Sequence, residues 1–256
     1  MRFLKSVFYI INYKTLIVTS IALISTWICI QEELFAEFPL TIVGISIVFP
    51  IVFSINSAYR RRERALMALA EAMGHAKGIY LIARNQSKQE NSEHLVHIRE
   101  SLINVFRNLD SLLVNPPEQA DENEERINDS INAVGSCFRK MREAGMAGRY
   151  VARMNQYLTM ISVSIENMKV IYNYRTPRTL RAYSKVFIYS FPVLYAPYFA
   201  NTAVDYEAHL SYIMPGLFSF ILVSLDNIQE HLENPYDQIG EDDISVNKHE
   251  IERILS

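Results

Sequence analysis

Long uncharged runs alternate with charged stretches along this chain. Four apolar segments lie in two pairs near the two ends, at residues 15–30, 38–59, 186–203 and 210–225. The second has 22 residues without a charge, and at ~1.5 Å per residue such a helix spans roughly 33 Å, the thickness of a bilayer core. The pattern predicts four membrane-spanning helices.

Charges around these segments predict how they are oriented. Basic residues precede the first segment, and residues 60–64 read Arg-Arg-Arg-Glu-Arg, whereas the connection 31–38 holds three glutamates and no base. Because basic loops stay in the cytoplasm, we expect a multi-pass protein of the cell (inner) membrane with both termini cytoplasmic. No small-residue cleavage site follows the first segment, so it is not expected to be a cleaved signal.

The middle of the chain is polar and predicts helices in water. The apolar spacing within residues 94–114 indicates an amphipathic helix, residues 118–125 read as an acidic solvated loop, and helical periodicity resumes over 127–174. We therefore expect four regions: 1–59, an N-terminal cytosolic segment and two spans; 60–182, a cytosolic helical region; 183–225, two further spans; and 226–256, an acidic cytosolic tail. Pro192, Pro197 and Pro215 are expected to kink the later spans.

One row of residues in the second segment is a candidate site. Ile45, Phe49 and Phe53 recur every fourth residue, which stacks three bulky apolar side chains on one side of a helix. Such a row is either a helix-packing stripe or, repeated around an axis, a hydrophobic constriction that gates by dewetting. Pro50 within the row favours a water-lined helix over a lipid-facing one.

The tail offers a second candidate. Asn234, Asp242 and Asp243 carry the hard oxygen ligands that a cation prefers, although a solvated helix end is the simpler interpretation. The net charge of −3 gives no reason to expect nucleic acid as a partner. No phosphate loop, nucleophile elbow or carboxylate pair supports catalysis, and these patterns predict no cofactor.

Three short motifs resemble those of one known family. Residues 53–61, Phe-Ser-Ile-Asn-Ser-Ala-Tyr-Arg-Arg, resemble the bestrophin signature of Phe-Arg, Asn, a small residue, Tyr and Arg. Residues 232–236, Leu-Glu-Asn-Pro-Tyr, followed by residues 242–244, Asp-Asp-Ile, are similar to a second bestrophin element, and Thr176-Pro177 with Tyr183 to a third. The order of the motifs agrees with that family, and the short chain resembles its prokaryotic branch.

The resemblance implies a pentameric ring of subunits around one axial pore. In bestrophins the second membrane helix lines a neck of three apolar residues four apart, which match Ile45, Phe49 and Phe53. A second constriction lies in the cytosolic part, for which Val151 or Met154 is the candidate. Ser54 stands where the family has arginine, just inside the neck.

The resemblance also bears on ions and regulation. Eukaryotic members pass anions and are opened by calcium held in an acidic clasp, part of which Asp242 and Asp243 match. Here the spacing from Pro235 is one residue longer, and the prokaryotic branch generally lacks the full clasp. The sign of the permeating ion therefore stays open.

The sequence thus predicts an all-α membrane protein that assembles as a homopentamer in a lipid bilayer. Its expected function is passive conduction of small monovalent ions, an anion such as chloride or a cation, through the hydrophobic neck. The alternative is a non-conducting membrane scaffold or sensor whose cytosolic helices and acidic tail bind a partner. A transporter is a third interpretation, suggested by the proline-containing third span.

Overall fold

The regular elements of this chain are helical, as predicted. The computed structural model describes residues 11–37, 39–86, 93–115, 119–174, 178–205, 210–238, 243–246 and 248–255. The helices in these ranges are α1 (Tyr13–Gln31), α2 (Leu40–Gln86), α3 (Glu93–Val114), α4 (Ala120–Glu143), α5 (Gly148–Asn173), α6 (Arg178–Leu194), α7 (Ala196–Asp205), α8 (Leu210–Glu233) and α9 (Lys248–Ile254).

Contacts divide the chain into two units. The first comprises Met1–Arg61 and Arg175–Asn234, and the second comprises Arg62–Tyr174 and Pro235–Ser256. Helix α2 contributes residues to both. The predicted cytosolic region 60–182 overlaps the second unit, and its first two and last eight residues fall in the first.

The first unit is built from the apolar helices. Helix α1 packs against α6, α7 and α8, around a core that includes Val18, Ile51, Phe191 and Val223. Asn12 caps α1, because its Oδ1 accepts hydrogen bonds from the backbone N–H groups of residues 14 (3.0 Å) and 15 (3.3 Å).

The predicted third span is not one continuous helix. Helix α6 ends at Leu194 and α7 begins at Ala196, so residue 195 separates them. Pro197 has no N–H to donate to the carbonyl of residue 193, so the helical hydrogen-bond pattern is interrupted at this point. The carbonyl of Pro197 accepts the backbone N–H of Ala36 at 3.3 Å.

The second unit is an amphipathic helical bundle. The seven apolar residues that predicted the α3 face (Leu95, Ile98, Leu102, Val105, Phe106, Leu109 and Leu113) are all buried. The second half of α2 joins the same core through five alanines (Ala65, Ala68, Ala72, Ala76 and Ala83). These small side chains let a neighbouring helix come close.

The acidic loop expected at residues 118–125 is largely replaced by a helix. Helix α4 begins at Ala120, so residues 120–125 are helical; Glu118 lies outside the described residues. Asp121 and Glu122 occupy the first turn, where negative charge is favourable beside the N-terminal end of the helix dipole. Further on, Gly145 adopts φ +101° in the turn between α4 and α5, a conformation that suits glycine.

Two helices are long and apolar enough to cross a membrane. Among the described residues these are Tyr13–Gln31 and Ser211–Glu233, judged by length and composition alone. They coincide with the first and fourth predicted spans. The spans predicted in α2 and in α6 with α7 stay predictions.

Candidate functional site

The predicted apolar row lies on the exposed side of α2. Ile45, Phe49 and Phe53 are 60%, 61% and 53% exposed in the chain. The rings of Phe49 and Phe53 meet edge to face, with centroids 4.8 Å apart. The row is therefore a continuous apolar ridge, and the contacts of the folded chain leave most of it uncovered.

The opposite side of the same helix carries the packing. Ile47, Ile51 and Ala58 are 2%, 0% and 0% exposed, and the two isoleucines belong to the core of the first unit. Packing within one chain therefore does not account for the row. Something outside the chain must cover it, or water must reach it.

Ser54 is buried on the packed side of α2, away from the row. Its exposure is 0%, and its hydroxyl has no hydrogen-bond partner among the described residues. Adjacent residues of a helix point about 100° apart, so the residue after Phe53 turns into the core. The Ser54 side chain is therefore not part of the exposed row.

Pro50 lies inside α2 without ending it. The helix continues through this residue to Gln86, although proline removes one helical hydrogen bond. A missing bond of this kind is tolerated at membrane depth where protein or water satisfies the backbone.

A polar cluster that the sequence did not predict lies where α1, α6 and α8 meet. The Nζ of Lys14 contacts Oε2 of Glu230 at 2.6 Å, and the Nζ of Lys185 contacts Oε1 of the same carboxylate at 2.5 Å. One turn further, a guanidinium nitrogen of Arg181 lies 4.0 Å from the buried carboxylate of Glu233. The cluster joins three helices through charged groups.

Buried amides lie behind this cluster. The Nδ2 of Asn12 donates to Oδ1 of Asn227 at 3.0 Å, and the Nδ2 of Asn227 donates to the Thr15 hydroxyl at 3.0 Å. Asn227 and Thr15 are 1% and 0% exposed. Hydrogen bonds of buried polar groups are costly to break, so this part of the first unit has a defined geometry.

The two candidates for a cytosolic constriction lie in a core. Val151 is 8% exposed and Met154 is fully buried, both within the main apolar cluster of the second unit. A side chain enclosed by its own chain cannot line an aperture without unpacking that core. Their burial argues against the constriction role.

The cation site predicted in the tail stays a prediction. Asn234 ends the first unit, Asp243 belongs to the second, and Asp242 lies outside the described residues. The backbone N–H of Ile244 donates to the carbonyl of Pro235 at 2.7 Å, so the tail folds back on itself. Within the described ranges, no group of three or more His, Cys, Asp or Glu side chains could hold a metal ion.

Comparisons with known proteins identify the fold through structure. No family model and no curated protein matches the sequence. A crystal structure described as that of a membrane protein matches with a TM-score of 0.82, over 95% of this chain and 98% of its own, at 17% identity. A bacterial bestrophin homologue from Klebsiella pneumoniae matches with a TM-score of 0.76, over 95% of this chain and 96% of its own, also at 17% identity. The chain has the bestrophin fold.

The bestrophin fold covers both units and nearly the whole chain. A variant of the same Klebsiella protein matches over 94% of this chain and 99% of its own, with a TM-score of 0.78 and 19% identity. The motifs at residues 53–61 and 232–236 therefore pointed to the correct architecture. Thr176 and Pro177 of the third motif lie outside the described residues.

Proposed function

We propose that this chain is one subunit of a bestrophin-like homopentameric channel in a cell membrane. Small monovalent ions pass along an axial pore whose neck consists of rings of Ile45, Phe49 and Phe53. The observation that carries the proposal is the exposure of this row, at 60%, 61% and 53%, on a helix whose other side is buried. The bestrophin fold supports the choice of a channel over an enzyme.

The chemistry of the row sets what it can do. Three uncharged rings, each with one side chain from every subunit, are stacked along the axis and make a narrow apolar passage that resists wetting. Such a passage controls whether ions cross at all. The sign of the ion depends on charges elsewhere along the path, so a bi-ionic reversal potential is the direct measurement of selectivity.

The neck is tested by the triple variant Ile45→Ala/Phe49→Ala/Phe53→Ala. Smaller side chains widen the rings and lower the cost of wetting, so single-channel current in planar bilayers should rise severalfold. The fold should persist because the row is exposed.

A matched control lies on α8. Ile213, Leu217 and Ile221 have the same four-residue spacing and are 61%, 51% and 46% exposed. The triple alanine variant of these residues should leave conductance and gating unchanged. Equal currents in the wild type and in the triple variant of α2 would overturn the assignment of these residues to the neck.

Ion flux from loaded liposomes tests the channel itself. Liposomes containing the purified protein should release ions faster than empty ones. No flux from correctly inserted protein would contradict conduction and would favour the non-conducting scaffold or sensor.

A further inference from the structure

Two lysines from different helices share one carboxylate in the first unit. Lys14 on α1 and Lys185 on α6 contact the two oxygens of Glu230 on α8 at 2.6 and 2.5 Å. The two lysine side chains are 28% and 39% exposed. The buried carboxylate of Asp226 also interacts electrostatically with both lysines. Each ammonium group has further N–H donors to offer on its exposed side.

Hydrogen bonds on both sides of Lys14 in the chain fix the start of α1. Asn12 caps α1 and is hydrogen-bonded to Asn227 of α8, which in turn donates to Thr15. Lys14 lies between these two residues in the chain. The backbone of Lys14 therefore belongs to a hydrogen-bonded framework that joins α1 to α8.

An apolar row runs down α1 from Lys14. Ile17, Ile21, Ile24 and Ile28 follow at three- and four-residue spacing and are 54%, 40%, 55% and 45% exposed. From Ile17 to Ile28 the row extends about 17 Å along the helix. That length corresponds to the hydrocarbon of one leaflet, about 15 Å.

A second apolar row runs down α6 from Lys185. Tyr189 and Val193 follow at four-residue spacing and are 39% and 54% exposed. Helices α1 and α6 pack against each other. The two lysines with the two rows below them form one surface, the two-lysine surface, with a cationic end and an apolar body.

We propose that the two-lysine surface binds an anionic phospholipid. The lipid phosphate bridges the ammonium groups of Lys14 and Lys185, and an acyl chain follows the isoleucine row of α1. An amphipathic anion fits because the partly exposed ammonium groups and the apolar rows follow one another on the same helices. A free phosphate would leave the rows uncovered. The proposal rests on the membrane insertion proposed above, but not on conduction.

Native mass spectrometry of the full-length protein in non-ionic detergent tests this site. Phosphatidylglycerol and phosphatidylcholine with identical acyl chains are titrated separately. The wild type should retain phosphatidylglycerol about tenfold or more strongly, since each lysine near an anionic headgroup contributes severalfold. The Lys14→Gln/Lys185→Gln variant should lose this preference, and Lys14→Arg/Lys185→Arg should keep it.

A charge-matched control lies in the second unit. Lys77 and Lys140 are exposed there, and Lys77→Gln/Lys140→Gln should keep the full preference. Should the Lys14→Gln/Lys185→Gln variant fail to fold by circular dichroism, Lys185→Gln alone decides. This single variant keeps the ion pair of Lys14 with Glu230, and it should lower the preference for phosphatidylglycerol about fivefold.

Four results would overturn the lipid site. The first two are the absence of a phosphatidylglycerol preference in the wild type and an unchanged preference in Lys185→Gln. The third is displacement of the lipid by millimolar inorganic phosphate. The fourth is a Lys14→Gln/Lys185→Gln variant that loses the oligomer but keeps its lipid preference. The last would assign the surface to a neighbouring subunit. Because the readout is lipid retention, a protein that conducts no ions can still pass the test, and the two proposals fail separately.

Discussion

We expect Gly78→Ala to destabilise the protein relative to Gly74→Ala, although both glycines lie in the same helix. A Cβ added at Gly78 would lie 2.9 Å from Cε2 and 3.2 Å from Cδ2 of Tyr157, whereas a Cβ at Gly74 has nothing within 4 Å. The Tyr157 ring is held in place, because it stacks on His75 with centroids 5.5 Å apart and lies 5.0 Å from the Arg153 guanidinium carbon.

The magnitude follows from two opposing effects. Replacing glycine by alanine inside a helix gains about 1 kcal/mol at either position. Overpacking at Gly78 costs about 1–3 kcal/mol, because the ring must move by several tenths of an ångström and lose its contacts with His75 or Arg153. The two variants should therefore differ in free energy of unfolding by about 1–3 kcal/mol.

Chemical unfolding of the full-length protein in detergent, followed by far-ultraviolet circular dichroism, measures this difference. The double variant Gly78→Ala/Tyr157→Ala provides the rescue, since without the ring the added methyl group meets open space. Equal stabilities of the Gly78→Ala and Gly74→Ala variants would refute the close approach of α2 and α5. A penalty that persists without Tyr157 would refute its assigned cause.

Three further predictions concern buried or charged groups. Glu230→Gln leaves two ammonium groups without their shared carboxylate and should cost about 1–2 kcal/mol after allowance for solvent screening; an unchanged thermal midpoint would contradict it. Met154→Ala should cost about 2–5 kcal/mol, because the side chain is fully buried, and a neutral effect in urea unfolding would exclude the core placement. Burial lowers the pKa of Lys169, but hydrogen bonds to Glu124 and Glu166 outweigh it and raise the pKa above its ordinary value. The stability that this lysine adds is therefore complete below about pH 10.4 and is lost as the pH rises through the folded-state pKa. The difference in thermal midpoint between the wild type and Lys169→Met should shrink above that pH. A constant difference would contradict this prediction.

Helices with a regular apolar period could be predicted from the sequence. Each of the seven apolar positions that defined the α3 face is buried, because burial of one stripe is what makes such a helix stable. The span predicted at residues 15–30 became α1, whose bounds differ by one or two residues. The acidic residues at the start of α4 were wrongly interpreted as a solvated loop, since the same residue types also suit the first turn of a helix.

Contacts between distant residues could not be predicted in this way. Lys14 and Glu230 are separated by 216 positions, and Lys185 and Glu230 by 45. Local periodicity carries no information on which charges will meet. In the sequence, Lys14 is one of the basic residues that precede the first apolar segment. Nothing in that segment indicates a partner on α8.

The two candidates for the cytosolic constriction lie on a regular apolar face of α5. Val151, Met154, Leu158, Ile161 and Ile165 recur at three- and four-residue spacing, and all five are buried. That periodicity is the usual mark of a helix face turned into a core. The sequence itself therefore contained the signal for burial, whereas the constriction role of Val151 or Met154 was implied only by the family resemblance.

Two exposed apolar rows of the first unit are assigned to different surroundings because their neighbours differ. The row on α1 starts at a paired lysine and consists of isoleucines, so it suits a lipid with an anionic headgroup. The row on α2 has no charge between residues 38 and 59, contains two phenylalanine rings in contact, and includes Pro50. A proline-containing helix is tolerated more readily beside protein or water than in lipid, which favours the pore for this row. If both assignments hold, substitutions on α2 will change current without changing lipid retention, and substitutions at Lys14 and Lys185 will change lipid retention without widening the neck.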